Sequence, residues 1–348
     1  MIHADEDHRW RHTLCFAGIE PLLPTYAAMC EAEDVPFAYV RAVAGKPWRN
    51  YLPVLNWLRR TRPDAVILHS PTMLPGVLPY CRVRGIPLIV VEHQANDLKS
   101  RQDWIFSGLA MRLADAVVTL TPRHEAELAA RLGKRFRRDK VTSIPNGVDA
   151  ATLGPATPLS GGTDVPVRIG MAGRFSSTKR FDLLIDALEV LQRTTTRSWH
   201  VTLAGAGEHW DQVRAYAATK VAGGVGFEGM LTGNSLADWY RGLDIYCHAS
   251  DGETLSVAVL QAMASGVPIV GSDVDGISNL LAGNPPCGIL AQNQTAEGFA
   301  AAVMQLAGDP GKARAIALHA RAEAVRLYDQ RTTFARYDAL VRRLSERS

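Results

Sequence analysis

The sequence predicts an α/β protein of two doubly wound, Rossmann-like parallel-sheet domains facing an interdomain cleft, and three observations predict it. Short apolar runs without period-two alternation, such as 86–91 and 167–173, read as strands buried on both faces, as in a sheet covered by helices on each side. These runs alternate with amphipathic helical patterns, and that alternation builds parallel sheets. The alternation stops at 151–166, where Pro, Gly, Thr and Ser crowd together, and then restarts. A chain of 348 residues exceeds one average domain, and 47% apolar with 21% charged residues is the composition of a soluble globular enzyme.

In the first half, residues 12–17 and 37–40 read as strands flanking a helix at 26–32. Leu52, Leu55 and Leu58 recur at helical spacing before a strand at 65–69. A proline-interrupted helix at 75–84 precedes the strand 86–91, and His93 lies just past its carboxyl end, where open α/β sheets hold ligands. A lone histidine there also has a purely structural reading. A strand at 114–121, a helix at 122–132 and a strand at 140–145 follow, and Asn146-Gly147 makes a turn. The expected division is a first domain over 1–150, a linker over 151–166 and a second domain over 167–325. A last helix over 326–348 is expected to pack back toward the first domain.

The second half opens with the strand 167–173, and Arg174 and Lys179 stand on the loop after it. Phe181, Leu184, Ile185, Leu188 and Leu191 mark an amphipathic helix. A strand at 200–204 ends in Gly205-Ala-Gly207-Glu208, where glycine permits close backbone approach to a ligand. The chain then reaches strand 244–249, a polar turn at 250–252, a helical pattern through Leu255, Val259, Leu260 and Met263, and strand 267–270. A helix starting at a strand's carboxyl end points free N–H groups and its positive dipole end at the crevice, which suits a phosphate. Thr254, Leu255 and Ser256 are expected to supply those groups. Glu253 at the helix mouth and Gln261, eight residues on, are expected near one face. The bland alternative is an ordinary strand–helix unit.

Several classes are excluded. Cys15, Cys30, Cys81, Cys247 and Cys287 are odd in number and scattered, so neither a disulfide framework nor a zinc site is expected. The charged residues 1–12 are no secretory signal, and no apolar run is long enough to span a bilayer, which predicts a cytoplasmic protein. No Walker motif, Gly-x-Gly-x-x-Gly or His-x-x-x-His pair is present, which disfavours P-loop hydrolases, dehydrogenases and zinc hydrolases. The net charge is +3, with 20 basic and 16 acidic residues in 1–150 and 18 and 19 in the remainder. The densest basic cluster runs from Arg131 to Lys140. It is either a solvated surface or an attraction for anionic lipid at the inner face of the cytoplasmic membrane. Nucleic acid is not expected, since no binding motif accompanies the charge.

Pro145-Asn-Gly-Val-Asp149, Gly173-Arg-Phe with Lys179, Leu203-Ala-Gly-Ala-Gly-Glu208, and Glu253 followed by Gln261-Ala-Met-Ala-Ser-Gly-Val-Pro-Ile-Val270 occur in order. Over about residues 60–345 the chain resembles the retaining glycosyltransferases of family 4, which have the GT-B fold. The resemblance implies transfer of a sugar from a nucleotide-diphosphate sugar to a glycan or lipid-linked acceptor, with no metal ion and no cofactor. It further implies that Arg174 and Lys179 bind the diphosphate, Glu253 contacts the donor sugar and His93 reaches that sugar. Two departures stand out. Gln261 occupies the position of the family's second glutamate, the ribose ligand, and an amide oxygen accepts less than a carboxylate does. The family's opening strand and glycine-rich loop are missing before residue 12, so the first domain is expected to lack its first strand and to carry unpaired strand edges. A nucleotide-sugar epimerase of the same fold and a non-catalytic nucleotide-sugar-binding scaffold are the competing readings.

Overall fold

The computed structural model describes residues 5, 9–19, 21–43, 45–156, 165–221 and 223–346. Residues 157–164 of the expected linker, and most of the chain before Arg9, lie outside them. The chain divides into two compact units, one of Met1–Pro145 with Arg331–Ser348 and one of Asn146–Gln330.

In the first unit, β1 (Leu14–Gly18), α1 (Pro24–Ala32), β2 (Phe37–Arg41), α2 (Tyr51–Thr61), β3 (Val66–Leu68) and α3 (Leu74–Arg84) alternate. They are followed by β4 (Leu88–Val91), α4 (Arg101–Leu113), β5 (Ala116–Thr119), α5 (Pro122–Leu132) and β6 (Val141–Ser143). All pairings are parallel, in two sheets ordered β1-β2 and β3-β4-β5-β6. Every residue of β4 and β5 is buried, whereas every residue of β3 is only half-buried. The helix ends follow local chemistry. Ser100 and Asp103 form a capping box on α4, and Thr121 accepts the His124 N–H at 3.0 Å ahead of Pro122 in α5.

The second unit runs β7 (Val167–Ala172), α6 (Phe181–Thr194), β8 (Trp199–Ala204), α7 (Trp210–Lys220), β9 (Val225–Gly229), α8 (Gly233–Arg241) and β10 (Ile245–His248). It continues through α9 (Val257–Ala264), β11 (Ile269–Ser272), α10 (Asp275–Leu281), β12 (Ile289–Ala291), α11 (Ala296–Gly308) and α12 (Pro310–Leu327). Its six strands form one parallel sheet, ordered β12-β11-β10-β7-β8-β9. The core of this unit includes the apolar face of α6 (Phe181, Leu184, Ile185, Leu188, Leu191) and buried residues of β7, β8 and β10. Strand order reverses between β7 and β10, so the crevice for a ligand opens at their carboxyl ends.

Three sequence expectations need correction. Residues 146–150, expected to end the first domain, and 151–156, expected as linker, both belong to the second unit. The Val148 N–H donates to the Tyr328 carbonyl, Asp149 accepts from Thr152, and the Ala156 N–H reaches the Ser265 carbonyl at 2.7 Å, all inside the second unit. The last helix does not begin at 326, because α12 runs on to Leu327 and the chain breaks at Tyr328 and Asp329, where Asp329 bridges to Val148, before α13 (Gln330–Ser345). This last helix holds Trp10 through Asp338 at 2.9 Å and the Pro145 carbonyl through Thr333 at 3.2 Å. Finally, α9 starts at Val257, not near Glu253, because Ser256 is its N-cap and accepts the Val259 N–H.

Candidate functional site

The carboxyl ends of β7 and β10 carry two loops, 173–180 and 249–256, which backbone bonds tie together. The Arg180 N–H donates to Ala249, the Asp251 N–H to Thr178, and Arg180 also pairs with Asp251 at 3.2 Å. Gly276 at the start of α10 presses on this arrangement. Its N–H donates to the Glu253 carbonyl, and a side chain there would overlap that oxygen. The position of Glu253 is therefore set by backbone packing from both sides.

Between the loops lies a compact polar cluster. Lys179 and Glu253 form an ion pair, with side chains 17% and 14% exposed. His248, the last residue of β10 and fully buried, stands beside both, with Nε2 2.9 Å from Glu253 Oε1, 3.1 Å from Ser256 Oγ and 3.3 Å from Lys179 Nζ. Its Nδ1 is 2.8 Å from the Tyr246 hydroxyl. Burial lowers the Lys179 pKa to about 8. Burial first, and the Lys179 charge second, push His248 well below the usual histidine value, so its ring is neutral.

The other expected residues are placed less uniformly. Arg174 sits on the same loop as Lys179 but is exposed and pairs with Glu208 at 3.1 Å. Gly205, at φ 135°, and Gly207 do permit close approach, but to the neighbouring loop: side chains there would overlap the carbonyl oxygens of Gly173 and Phe175. The glycines thus let the loop after β8 dock on the loop that carries Arg174. Thr254, Leu255 and Ser256 are buried and precede the helix, so they are not its first-turn N–H donors. Glu253 lies four residues before α9, so helical spacing does not align it with Gln261. The Gln261 amide oxygen accepts from Tyr240 at 3.3 Å. Sequence reasoning missed His248 and Tyr246. The available signal was a polar residue ending an otherwise apolar strand at the switch point.

In the first unit, His93 follows β4 and its Nε2 is 2.7 Å from Nδ1 of His69, the rings stacked at 5.0 Å. Both are solvent-accessible, yet neighbouring groups remove enough water to lower both imidazoles. They line a cavity of about 90 Å³ with Ser70, Thr72, Gln94 and Asp103. Glu92 and Lys99 also line it and pair at 2.8 Å, each side chain 1% exposed. Among the described residues, no three of His, Cys, Asp or Glu are grouped to hold a metal ion, and no helix is long and apolar enough to cross a membrane.

Residues 10–152 match the model of Glycosyltransferase Family 4, and residues 166–309 match that of Glycosyl transferases group 1. A phosphatidyl-myo-inositol mannosyltransferase of Mycobacterium leprae is 27% identical over 319 residues, 88% of this chain and 81% of the relative. A glycogen synthase of Mycobacterium tuberculosis is 26% identical over 290 residues, 79% of this chain and 67% of its own. Among solved structures, HepE of Anabaena in complex with UDP and glucose superposes with a TM-score of 0.80 at 18% identity, covering 98% of this chain and 94% of that one.

Proposed function

We propose that this chain, which belongs to the family 4 glycosyltransferases and has their GT-B fold, is a retaining, metal-independent hexosyltransferase. It would move a sugar from a nucleotide-diphosphate sugar to a glycan or lipid-linked acceptor in making an envelope or exported polysaccharide. The observation that carries this reading is the largely buried Lys179–Glu253 pair at the β7/β10 switch point. Such a pair suits a ligand that is anionic at one end and hydroxylated at the other. A diphosphate would take over the Lys179 ammonium, and the Glu253 carboxylate, freed from it, would accept hydroxyl protons of the sugar. As the leaving diphosphate gains charge, Lys179 stabilises it without rearrangement of the site, and Arg174, on the same loop, adds a second cation once it leaves Glu208. Gln261 would meet the ribose and His93 the donor sugar.

The relatives support the reading without naming the acceptor, since they are named for phosphatidyl-myo-inositol, glycogen and D-inositol 3-phosphate. HepE in complex with UDP-glucose supports a nucleotide-sugar donor. The test is incubation with a panel of labelled nucleotide sugars and lipid-linked or oligosaccharide acceptors in EDTA, with the product anomer read by NMR. Transfer in chelator with the donor's anomeric configuration kept is expected. An inverted product, dependence on Mg²⁺ or Mn²⁺, or epimerised donor without transfer would each overturn a stated part of the proposal.

A further inference from the structure

We infer that His248 is a positioning residue of this site, a neutral imidazole whose Nε2 holds Glu253 and Lys179 in register and whose Nδ1 is anchored by Tyr246. The inference rests on the donor-site reading above and adds a residue to it.

The hydrogen-bond inventory fixes the arrangement. Glu253 Oε1, at 2.9 Å, is the nearest group to Nε2, and a carboxylate can only accept, so Nε2 carries the ring proton and donates to it. Nδ1 must then accept, and the Tyr246 hydroxyl at 2.8 Å is its donor. The Tyr246 oxygen in turn accepts from the Ala172 N–H at 3.4 Å, at the end of β7. The relay therefore runs from the backbone of one switch-point strand, through a side chain of the other, to the carboxylate, with no site left unsatisfied. The opposite tautomer would set two lone pairs against each other at 2.9 Å while Lys179 remains on Glu253.

That tautomer becomes the favourable one when Lys179 and Glu253 part. If Glu253 turns to a sugar, the Tyr246 hydroxyl can swing to donate to the Ala172 carbonyl, 3.2 Å away, and accept from Nδ1–H. Nε2 is then free to accept from Lys179, 3.3 Å away, or from the Ser256 hydroxyl. A neutral ring with two tautomers can donate to Glu253 in the first arrangement and accept from Lys179 in the second, which a cationic or apolar side chain could not. The ionisable groups around it are Lys179 from the loop after β7, Glu253 from the loop after β10, Tyr246 and Cys247 from β10 itself, and, behind Tyr246, Tyr240 of α8.

The experiment measures UDP, GDP and ADP binding by calorimetry from pH 6 to 9.5, and kcat and KM for whichever sugar donor is active, for His248→Gln, His248→Asn, His248→Phe and Tyr246→Phe. Gln can place its amide near Nε2, and Asn near Nδ1. His248→Phe is expected to weaken nucleotide-diphosphate binding about tenfold to a hundredfold, the cost of one hydrogen bond to a charged group. It should also move the alkaline limit of binding, which Lys179 sets, to lower pH. His248→Gln should restore both and His248→Asn neither, while Tyr246→Phe should lower kcat with a wild-type melting temperature. If His248→Phe does not fold, the Gln and Asn pair still decides. Equal behaviour of those two, or losses that track melting temperature with the pH limit unmoved, overturns the inference. Lys179→Ala separates the two levels: if it abolishes binding while every His248 variant matches wild type, the donor site stands and the role of His248 falls. If wild type binds no nucleotide diphosphate, both fall.

Discussion

Lys179 is the residue at which burial, charge and chemistry conflict most, and the conflict is measurable. Its ammonium is withdrawn from water, which lowers its pKa to about 8 from the ordinary lysine value, and a deprotonated amine gives a diphosphate no charge. The donor kcat/KM, which reports the free enzyme, should fall about tenfold per pH unit above roughly pH 8. Lys179→Arg should abolish that limb, since guanidinium stays charged, at some loss of rate from altered geometry. An alkaline limb that persists in the arginine variant would assign the titration elsewhere. The sign for stability is opposite to that of activity. Above pH 8 the folded chain has begun to release a proton that the unfolded chain still holds, so this residue's contribution to stability rises between pH 8 and the ordinary lysine pKa. Replacing Lys179 or Arg174 by Ala should each reduce turnover about a hundredfold. Wild-type rates in both would remove them from the site.

At the scale of elements, the alternation of strands and helices was legible because a doubly covered parallel sheet demands fully apolar runs, and β4, β5, β10 and β11 are buried at every residue. The start of α9 was not, because Leu255 continues the helical apolar spacing although it packs from a turn, and only Ser256 as cap reveals the true beginning. The glycines after β8 do mark a close approach, but to the backbone of Gly173 and Phe175, and a sequence does not say whether ligand or backbone is the close neighbour. The basic cluster from Arg131 to Lys140 shows the same ambiguity between surface chemistry and local packing. Arg137 pairs with Asp139, Arg138 with Glu125, Arg131 lies over the Trp104 ring, and Lys140 donates to carbonyls at the end of α4. These partners take up part of the cluster's charge. Binding to anionic vesicles should be weak, should vanish by about 0.15 M salt, and should change little on Lys134→Ser with Arg135→Ser. Tight, salt-resistant binding lost in that double variant would restore the cluster as a membrane-docking element.

For the molecule as a whole, the two units differ in how completely their sheets are closed. The second has six strands in one hydrogen-bonded sheet, with β7 and β8 paired along all six of their residues and an aromatic cluster in which Phe181 and Trp210 both pack on Phe175. The first has its strands in two sheets, a half-buried β3, and in α1 a helix whose one buried residue is Cys30. Each unit has its own core, so a single cooperative transition is not required. A strand edge without a ladder partner leaves backbone groups to water, and elements with few buried apolar residues open at low free-energy cost. Denaturant unfolding should therefore show two transitions, the first unit preceding the second. Hydrogen exchange followed by mass spectrometry should find the amides of β1, β2 and α1 exchanging first and those of β7, β8 and β10 last. A nucleotide diphosphate bound at the β7/β10 loops should raise the later transition, by an amount that grows with its concentration, and leave the earlier one in place. If β1 and β2 prove as protected as β7 and β8, some element completes the first sheet, and the stability argument from its split is wrong. If the nucleotide shifts both transitions together, the units unfold as one, and the ligand cannot be assigned to the second unit by this means.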